Sequence, residues 1–308
     1  MRTISIFAPG SVGNIGPGFD VLGMAVLGIG DRVSMTRRSE RGVLITGITG
    51  DQGRLSTRAE ENTAGIAAQA VLDHLNASGG VSLTLHKDIP GTGLGSSAAS
   101  AVAAAVAVNA LLGDPLSREA LIPLAAVAES RVSSGLFLDN IGPSMMGGVT
   151  WNNPFTQEVV SLGYIHQAVL VIITPDFALL TRDARRALPS SIEMKQFIAN
   201  MAHAAMISWA VAKNDLERFG RSIEDHVAEP SRGPLIKGFV DVKKAALSSG
   251  ALGCSISGAG ATIFAVTDTK EKGEKIGEAM AEAFERHHVV AGFRVTKMDQ
   301  QGARILED

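Results

Sequence analysis

Pro90-Gly91-Thr92-Gly93-Leu94-Gly95-Ser96-Ser97-Ala98-Ala99-Ser100 lies between two strongly patterned segments. Before it, Val81, Leu83 and Leu85 alternate with Ser82, Thr84 and His86, which predicts a strand. After it, the run from Ala98 to Leu112 is almost wholly apolar, interrupted by Ser100 and Asn109, which predicts a buried helix too short to span a bilayer. Glycines in such a turn let the backbone come close to a ligand and take positive φ. The helix start adds unpaired N–H groups and the positive end of the helix dipole, which suit a phosphate. Ser96 and Ser97 add hydroxyls for phosphate or a divalent cation. No Lys follows the last glycine, so the stretch is not a Walker A loop, and its glycine spacing is not that of a dinucleotide fingerprint. A tight turn with helix-capping serines is the bland reading of the same residues.

Two further clusters of small residues flank this one in sequence. Thr3 to Ala8 alternates as a strand and is expected to run into a loop at Pro9-Gly10-Ser11-Val12-Gly13-Asn14-Ile15-Gly16-Pro17-Gly18, punctuated by Pro and Gly. The other is Gly253-Cys254-Ser255-Ile256-Ser257-Gly258-Ala259-Gly260-Ala261-Thr262, between two strand-like runs. Read alone it is a hairpin loop; read with the others it is a second small-residue loop able to close on the same phosphates.

Between and beyond the clusters, strands are expected at 32–36, 43–48, 168–173, 252–255, 262–267 and 294–298, and helices at 62–75, 117–128, 216–226, 235–249 and 271–286. Ser190-Ser191-Ile192-Glu193 has the pattern of a capping box opening a long helix to about Lys213. Gly135 and the residues up to Gly147-Gly148 read as loop. Gly163 to His166 reads as a seam, dividing the chain into lobes 1–163 and 164–308. A length of 308 residues suits two lobes.

Composition excludes several classes of function. Hydrophobic residues make up 45% and charged residues 19%, a globular balance. The net charge of −3 gives no bulk pull toward nucleic acid. The single cysteine, Cys254, excludes an intramolecular disulfide framework and fits the cytoplasm. None of the seven histidines has a metal-ligand spacing along the sequence, and no Gly-x-Ser-x-Gly elbow is present. Neither a membrane span nor a signal peptide is expected.

The three small-residue clusters together resemble the GHMP kinase superfamily and, within it, the homoserine kinase family. The first motif is Asn14-Ile15-Gly16-Pro17-Gly18-Phe19-Asp20-Val21-Leu22-Gly23, the second is Pro90 to Ser100, and the third is Gly253 to Thr262. Asp139-Asn140-Ile141-Gly142-Pro143, Thr181, Arg185, Glu229-Pro230 and Arg232 fall where that family has signatures of its own. The resemblance implies an α+β, two-lobe fold: an N-terminal α/β nucleotide-binding lobe and a C-terminal ferredoxin-like α+β lobe, with the site between them. It implies ATP bound by Asn62 and by Pro90, Gly91, Thr92, Gly93, Leu94, Gly95, Ser96, Ser97, Ala98, Ala99 and Ser100. It implies Mg2+ held by Ser97 and Glu129. L-homoserine is the implied acceptor, phosphorylated on its hydroxyl on the way to threonine, in an enzyme for which a homodimer is admissible.

Homoserine carries a carboxylate, an ammonium and a hydroxyl. Arg185 and Arg232 suit the carboxylate, because a guanidinium fork grips two oxygens. Asp20 suits the ammonium. Asn14 and Asn140 suit the hydroxyl or amine. Asp139 matches the aspartate that the superfamily places near the acceptor hydroxyl, and Phe137, Thr181 and Gly258 complete the implied substrate site. Bland alternatives are a surface salt bridge for either arginine, a helix-end carboxylate for Glu129 and a helix N-cap for Asn62. The sequence departs from the family at Phe137-Leu138-Asp139-Asn140, where His-x-Asp-Asn is usual, and at Gly10 to Gly13, where Thr-Ser-Ala is usual. A kinase for mevalonate or a sugar lacks a use for this charge set. A non-catalytic ligand sensor on the same fold has no need of Ser97, Glu129 and Asp139.

Overall fold

The computed structural model describes residues 3–89, 92–132 and 137–307. Its first sheet is built on one long strand. β2 (Leu22–Arg38) pairs antiparallel with β1 (Thr3–Gly13) along its length, with β4 (Gly80–His86) at its end, and with β5 (Val149–Asn153) at its start. β3 (Gly42–Thr49) lies parallel to β4 across the crossover helix α1 (Thr63–His74), and β6 (Glu158–Gly163) closes a hairpin with β5. α2 (Ser96–Leu111), α3 (Arg118–Val132) and α4 (Leu138–Met146) complete this lobe. α2 is buried on nearly every side, by Ala98, Ala101, Val102, Ala105 and Val108 among others. Small side chains allow that, since a helix apolar all round packs as a core element.

The second sheet has the order β10-β7-β9-β8, all antiparallel: β7 (Val169–Pro175), β8 (Gly253–Ile256), β9 (Ile263–Thr267) and β10 (Ala291–Lys297). α9 (Phe239–Ser248) and α10 (Lys270–Arg286) pack on it through Phe239, Val242, Ile276, Met280 and Phe284. This is the ferredoxin-like lobe. Between β7 and α9 the chain forms α5 (Thr181–Arg186), α6 (Met194–Lys213), α7 (Leu216–Arg221) and α8 (Ala228–Arg232). After β10 the chain returns to the first sheet, where β11 (Arg304–Ile305) pairs with β1. The expected boundary at 163/164 thus falls between the sheets, but the last strand crosses back over it.

Three expectations are corrected. Pro9 to Gly13 is strand rather than loop, because Ser11, Val12 and Gly13 pair with Ala25, Met24 and Gly23 after a register shift that accommodates Pro9. The segment before Gly147 is helix α4 despite Gly142 and Pro143. The capping box of α6 is Glu193 with Gln196, not Ser190 with Glu193. No helix among the described residues is long and apolar enough to cross a membrane.

Candidate active site

A cavity of about 180 Å3 opens between the lobes. The first lobe contributes Asn14, Asp20, Thr92, Gly93, Gly95, Ser96, Ser97, Ala98, Glu129, Phe137, Asp139 and Asn140. The second contributes Thr181, Arg185, Arg232, Gly258 and Ala259. Residues far apart in sequence thus meet in one space.

The glycine turn reaches this space because its neighbours leave room. Gly95 precedes α2 with φ +61°, and a Cβ there would run into Ser11 Oγ and lie 2.8 Å from Asn140 Oδ1. The turn is latched to the third small-residue loop. Thr262 Oγ1 donates to Thr92 O at 2.6 Å, Ala261 N to Thr92 Oγ1 at 3.1 Å, and Ser257 Oγ to Gly93 O at 2.5 Å. The first-turn amides of α2 therefore face the cavity from a fixed frame. Ser97 and the buried Glu129 both line this cavity, a hydroxyl and a carboxylate of the kind a hard cation takes.

At the other end, Asp139 is buried in the first turn of α4. Its Oδ2 accepts from Asn14 N at 3.1 Å and its Oδ1 from Asn140 Nδ2 at 3.2 Å. Asn140 Oδ1 in turn accepts from Ser11 Oγ at 3.0 Å. The strands come this close to α4 because they carry glycine there: a Cβ on Gly13 would be 2.5 Å from Asp139 Oδ2, and one on Gly23 would meet Asp139 O. Burial, then the charge of Asp20, push the Asp139 carboxyl up to about 7, against the pull of the Asn14 amide and Arg185.

Asn14 is held in the left-handed region at φ +69°. Its Nδ2 donates to Gly258 O at 3.0 Å and its Oδ1 accepts from Asp20 N at 3.0 Å. Asp20 and Arg185 form a bidentate pair with three contacts of 3.0 Å. The sequence assigns Arg185 to the carboxylate and Asp20 to the ammonium of an acceptor; here the two pair with each other. Arg185 Nε is buried with no acceptor among the described residues. Arg232 is buried, with Nε donating to Ala184 O at 3.2 Å and Nη1 to Gly258 O at 2.9 Å. Burial and the neighbouring Arg185 pull the Arg232 guanidinium below its usual range. The Arg185 guanidinium stands 5.1 Å from the Phe137 ring and 5.5 Å from Phe19, and that of Arg232 5.0 Å from Phe19, so aromatic faces carry both cations.

Several candidates lie elsewhere. Pro90 and Gly91 fall outside the described residues. Leu94 and Ala99 are core residues. Ser100 is turned away from the cavity, its Oγ donating to Asp31 Oδ2 at 2.7 Å. Asn62 is a buried N-cap: its Oδ1 accepts from Ala64 N at 3.0 Å and its Nδ2 donates to Ser56 O at 2.9 Å. It is not on the wall of this cavity; it is a capping residue of α1 that also holds the segment before it.

Sequence reasoning missed Ser11 and Lys87. Lys87 pairs with buried Asp31 and donates to Ser96 O at 3.0 Å and to Ser100 Oγ at 2.7 Å, bracing the start of α2. The signal was present: a lone Lys at the end of an alternating strand, and a lone Asp in the apolar run before Arg32. Lys87, Thr92 and Ser96 also border a second cavity of about 830 Å3, with Leu55, Ile89, Ile172 and Phe177 on its walls. Thr92 and Ser96 line both cavities.

Family models match the two lobes: "GHMP kinases N terminal domain" over residues 62–148 and "GHMP kinases C terminal" over residues 207–286. The homoserine kinase of Arabidopsis thaliana is 44% identical over 316 residues, covering 99% of this chain and 85% of that protein. The homoserine kinase of Chlorobium phaeobacteroides (strain DSM 266 / SMG 266 / 2430) is 36% identical over 320 residues, covering 99% and 100%. The crystal structure of homoserine kinase from Cytophaga hutchinsonii superposes with a TM-score of 0.95 at 40% identity, covering 99% of this chain and 98% of that one.

Proposed function

The chain belongs to the homoserine kinases of the GHMP kinase superfamily, and on that premise we propose how its cavity transfers phosphate from ATP to the hydroxyl of L-homoserine. The single observation that carries the proposal is the joining, in one cavity, of a helix N-terminus framed by glycines with Asp139 and two arginines.

The phosphates of ATP lie against Thr92 to Ala98, where free amides and the α2 dipole offset their charge. The nucleoside extends past Ser96 into the larger neighbouring cavity, whose mixed walls offer Leu55, Ile89, Ile172 and Phe177 to a base and polar groups such as Asp51, Gln52 and Asp176 to its edges and ribose. Ser97 and Glu129 would hold Mg2+, and the donor set of one hydroxyl and one carboxylate leaves positions for phosphate oxygens and water. That ion, when bound, neutralises charge on the transferring phosphoryl group.

The acceptor enters at the other end. Its carboxylate meets Arg232, whose Nη2 is the free edge of a fork already anchored by two backbone carbonyls. Arg185 supports it from the side, and Asp20 takes the ammonium. Asn14 and Asn140 aim the hydroxyl at the γ-phosphate. The hydroxyl oxygen bonds to phosphorus as the bond to the ADP oxygen breaks, and the hydroxyl proton passes to Asp139. A carboxyl near 7 is matched to that task at neutral pH. Positioning does the larger share, since the phosphoryl transition state is loose. The product is a step toward threonine, made in the cytoplasm.

An ADP-release assay over a panel of small alcohols tests the reading. Homoserine should be preferred by at least tenfold over a four-carbon alcohol without charges. Equal rates would overturn the assignment of Arg232, Arg185 and Asp20.

A further inference from the structure

A second convergence of chemically capable side chains lies outside the cavity. His203 projects from α6, while Glu224 and His226 come from the segment between α7 and α8. His226 Nε2 is 3.4 Å from Glu224 Oε1, and His203 Nε2 is 3.8 Å from Glu224 Oε2. One ligand atom from each of the three lies within 4.8 Å of the other two. The imidazole rings are 5.7 Å apart and inclined by 31°. Among the described residues no other group of three His, Cys, Asp or Glu side chains converges this way.

We propose that His203, Glu224 and His226 bind a divalent first-row transition-metal cation of the zinc class, and that this cation pins α6 to the segment leading into α8.

The donor set favours that class of ion. Two neutral imidazoles and a carboxylate are what Zn2+ and its neighbours take, with water completing the shell, whereas Mg2+ and Ca2+ prefer oxygen alone. The ligand atoms, within 4.8 Å of one another, close by at most about 1.5 Å to reach about 3.3 Å, the spacing that metal–ligand bonds of about 2.0–2.1 Å give in a tetrahedron, a movement that rotation of partly exposed side chains supplies. All three side chains are partly exposed, so an ion has a path in.

The frame around them is already tied. His226 N donates to Asn200 Oδ1 at 2.8 Å, and Gln196 Nε2 donates to His226 O at 3.0 Å. Asn200 and Gln196 stand on α6 beside His203. The same segment matters to the active site. Asp225 caps α8 by accepting from Val227 N, Ala228 N and Glu229 N, at 2.8, 3.0 and 2.8 Å. α8 carries Arg232. Ile223 packs on Gly16, where an added Cβ would lie 3.3 Å from Ile223 Cγ2, inside the turn that holds Asn14. A cation at the cluster therefore fastens a segment that touches the acceptor site from behind.

The test uses the full, untagged chain stripped with chelator, at pH 7.5 without nucleotide. Titration with ZnCl2 in a calorimeter should show one equivalent bound with a micromolar Kd. His203→Gln and His226→Gln should each weaken it tenfold or more, and the double variant should lose that equivalent. His74→Gln, an exposed histidine on α1, should leave it unchanged. Hydrogen exchange of the amides at 227–229 should slow on adding ZnCl2 to the parent and not to the double variant. Absence of a saturable equivalent in the parent, or retention of it in a double variant with parental melting temperature, overturns the site. Binding without slowed exchange overturns the pinning.

Discussion

The two ends of the cavity are built from different materials. At the phosphate end the ligand meets backbone: glycines, helix amides and hydroxyls, with Thr92 and Gly93 latched to Ser257, Ala261 and Thr262. The acceptor end offers polar and charged side chains from four separate stretches of sequence, Asn14 with Asp20, Asp139 with Asn140, Arg185 and Arg232, together with the backbone at Gly258. The phosphate end brings almost no charge of its own, apart from Glu129, and waits for a charged ligand and its cation. The acceptor end carries its own charges and already balances them, Asp20 against Arg185. The first end is thus specified by local backbone shape. The second is specified by partnerships that exist only in the fold.

Gly95 is where the two ends touch, and Gly95→Val is the way to break the distinction. The variant puts a β-branched residue at φ +61° and drives it into Ser11 and Asn140. Backbone strain of that kind costs about 1–3 kcal/mol before any clash. Turnover should fall below detection, and affinity for a non-hydrolysable ATP analogue by more than tenfold in calorimetry. A variant with parental affinity and turnover would show that phosphate loop and acceptor network are independent.

Asp139→Asn probes the acceptor end alone. kcat should drop by about 10²–10⁴-fold, the range for losing a positioned proton acceptor, with ATP affinity within twofold. The parent's kcat/KM for homoserine should rise with pH through about 7 as Asp139 ionises, and that limb should vanish in the variant. Stability runs the other way. The folded value of about 7 stands above the ordinary 3.8, so the protonated carboxyl is the one the fold prefers. Its contribution is complete below about pH 4 and is lost as pH rises through 7. Denaturant melts should therefore find Asp139→Asn more stable than the parent at pH 8, by at most about 4 kcal/mol, and no more stable near pH 4. A parent whose stability does not fall between those pH values would remove the buried-carboxyl argument.

Arg232→Ala sharpens the comparison further. It removes one charged group proposed for the acceptor and takes a donor from Ala184 O and from Gly258 O, the latter keeping Asn14 Nδ2. A hydrogen bond to a charged group is worth roughly 1.5–3 kcal/mol, so KM for homoserine should rise tenfold or more. KM for ATP should stay within twofold; a parallel rise would mean that Arg232 serves both ends.

The same contrast explains what was legible in the sequence. Glycine spacing between an alternating strand and an apolar helix announced the phosphate end, because a backbone requirement leaves a local trace. The fold class followed from the same patterning. The errors came where distant pairing overrode local signals. Pro9 to Gly13 read as loop, yet β2 pairs with Pro9 and with Ser11 to Gly13 on either side of a register shift at Gly10. Gly142 and Pro143 read as loop, yet α4 continues through them: Pro143 gives up one turn-to-turn hydrogen bond, and tertiary contacts hold the helix, Ser144 Oγ donating to Pro9 O at 2.7 Å. Asn62 and Ser100 stand near the right motif, but their side chains are taken up by partners within the fold, Ser56 O and Ala64 N for the first and Asp31 Oδ2 for the second. Asp31 with Lys87, and Asp20 with Arg185, are pairs no local pattern could join, since 56 and 165 positions separate them.

Phe137 carries the smallest expected effect and the finest test of how the acceptor end uses its charges. Its ring lies at the mouth of α4, half-buried, lining the cavity rather than filling the core. It stands 5.1 Å from the Arg185 guanidinium, where the related family usually places histidine. Phe137→His gives and takes. A neutral hydrogen bond to the acceptor adds about 0.5–1.5 kcal/mol, while the lost cation–π contact removes about 0.5–1 kcal/mol at a partly exposed site. The net gain is small, so KM for homoserine should fall only about two- to fivefold at pH 8, with kcat within a few-fold, because the contact serves ground and transition states alike. Phe137→Leu separates the two contributions. It removes the ring and offers no hydrogen bond, and by loosening Arg185 it should raise KM about two- to fivefold. Steady-state kinetics with varied homoserine at saturating ATP reads both. If Leu raises KM and His leaves it unchanged, the ring only steadies Arg185, and residue 137 does not contact the acceptor. If neither variant moves KM, the Phe137 ring contributes nothing to acceptor binding, and Arg185 is held for it by Asp20 and Phe19.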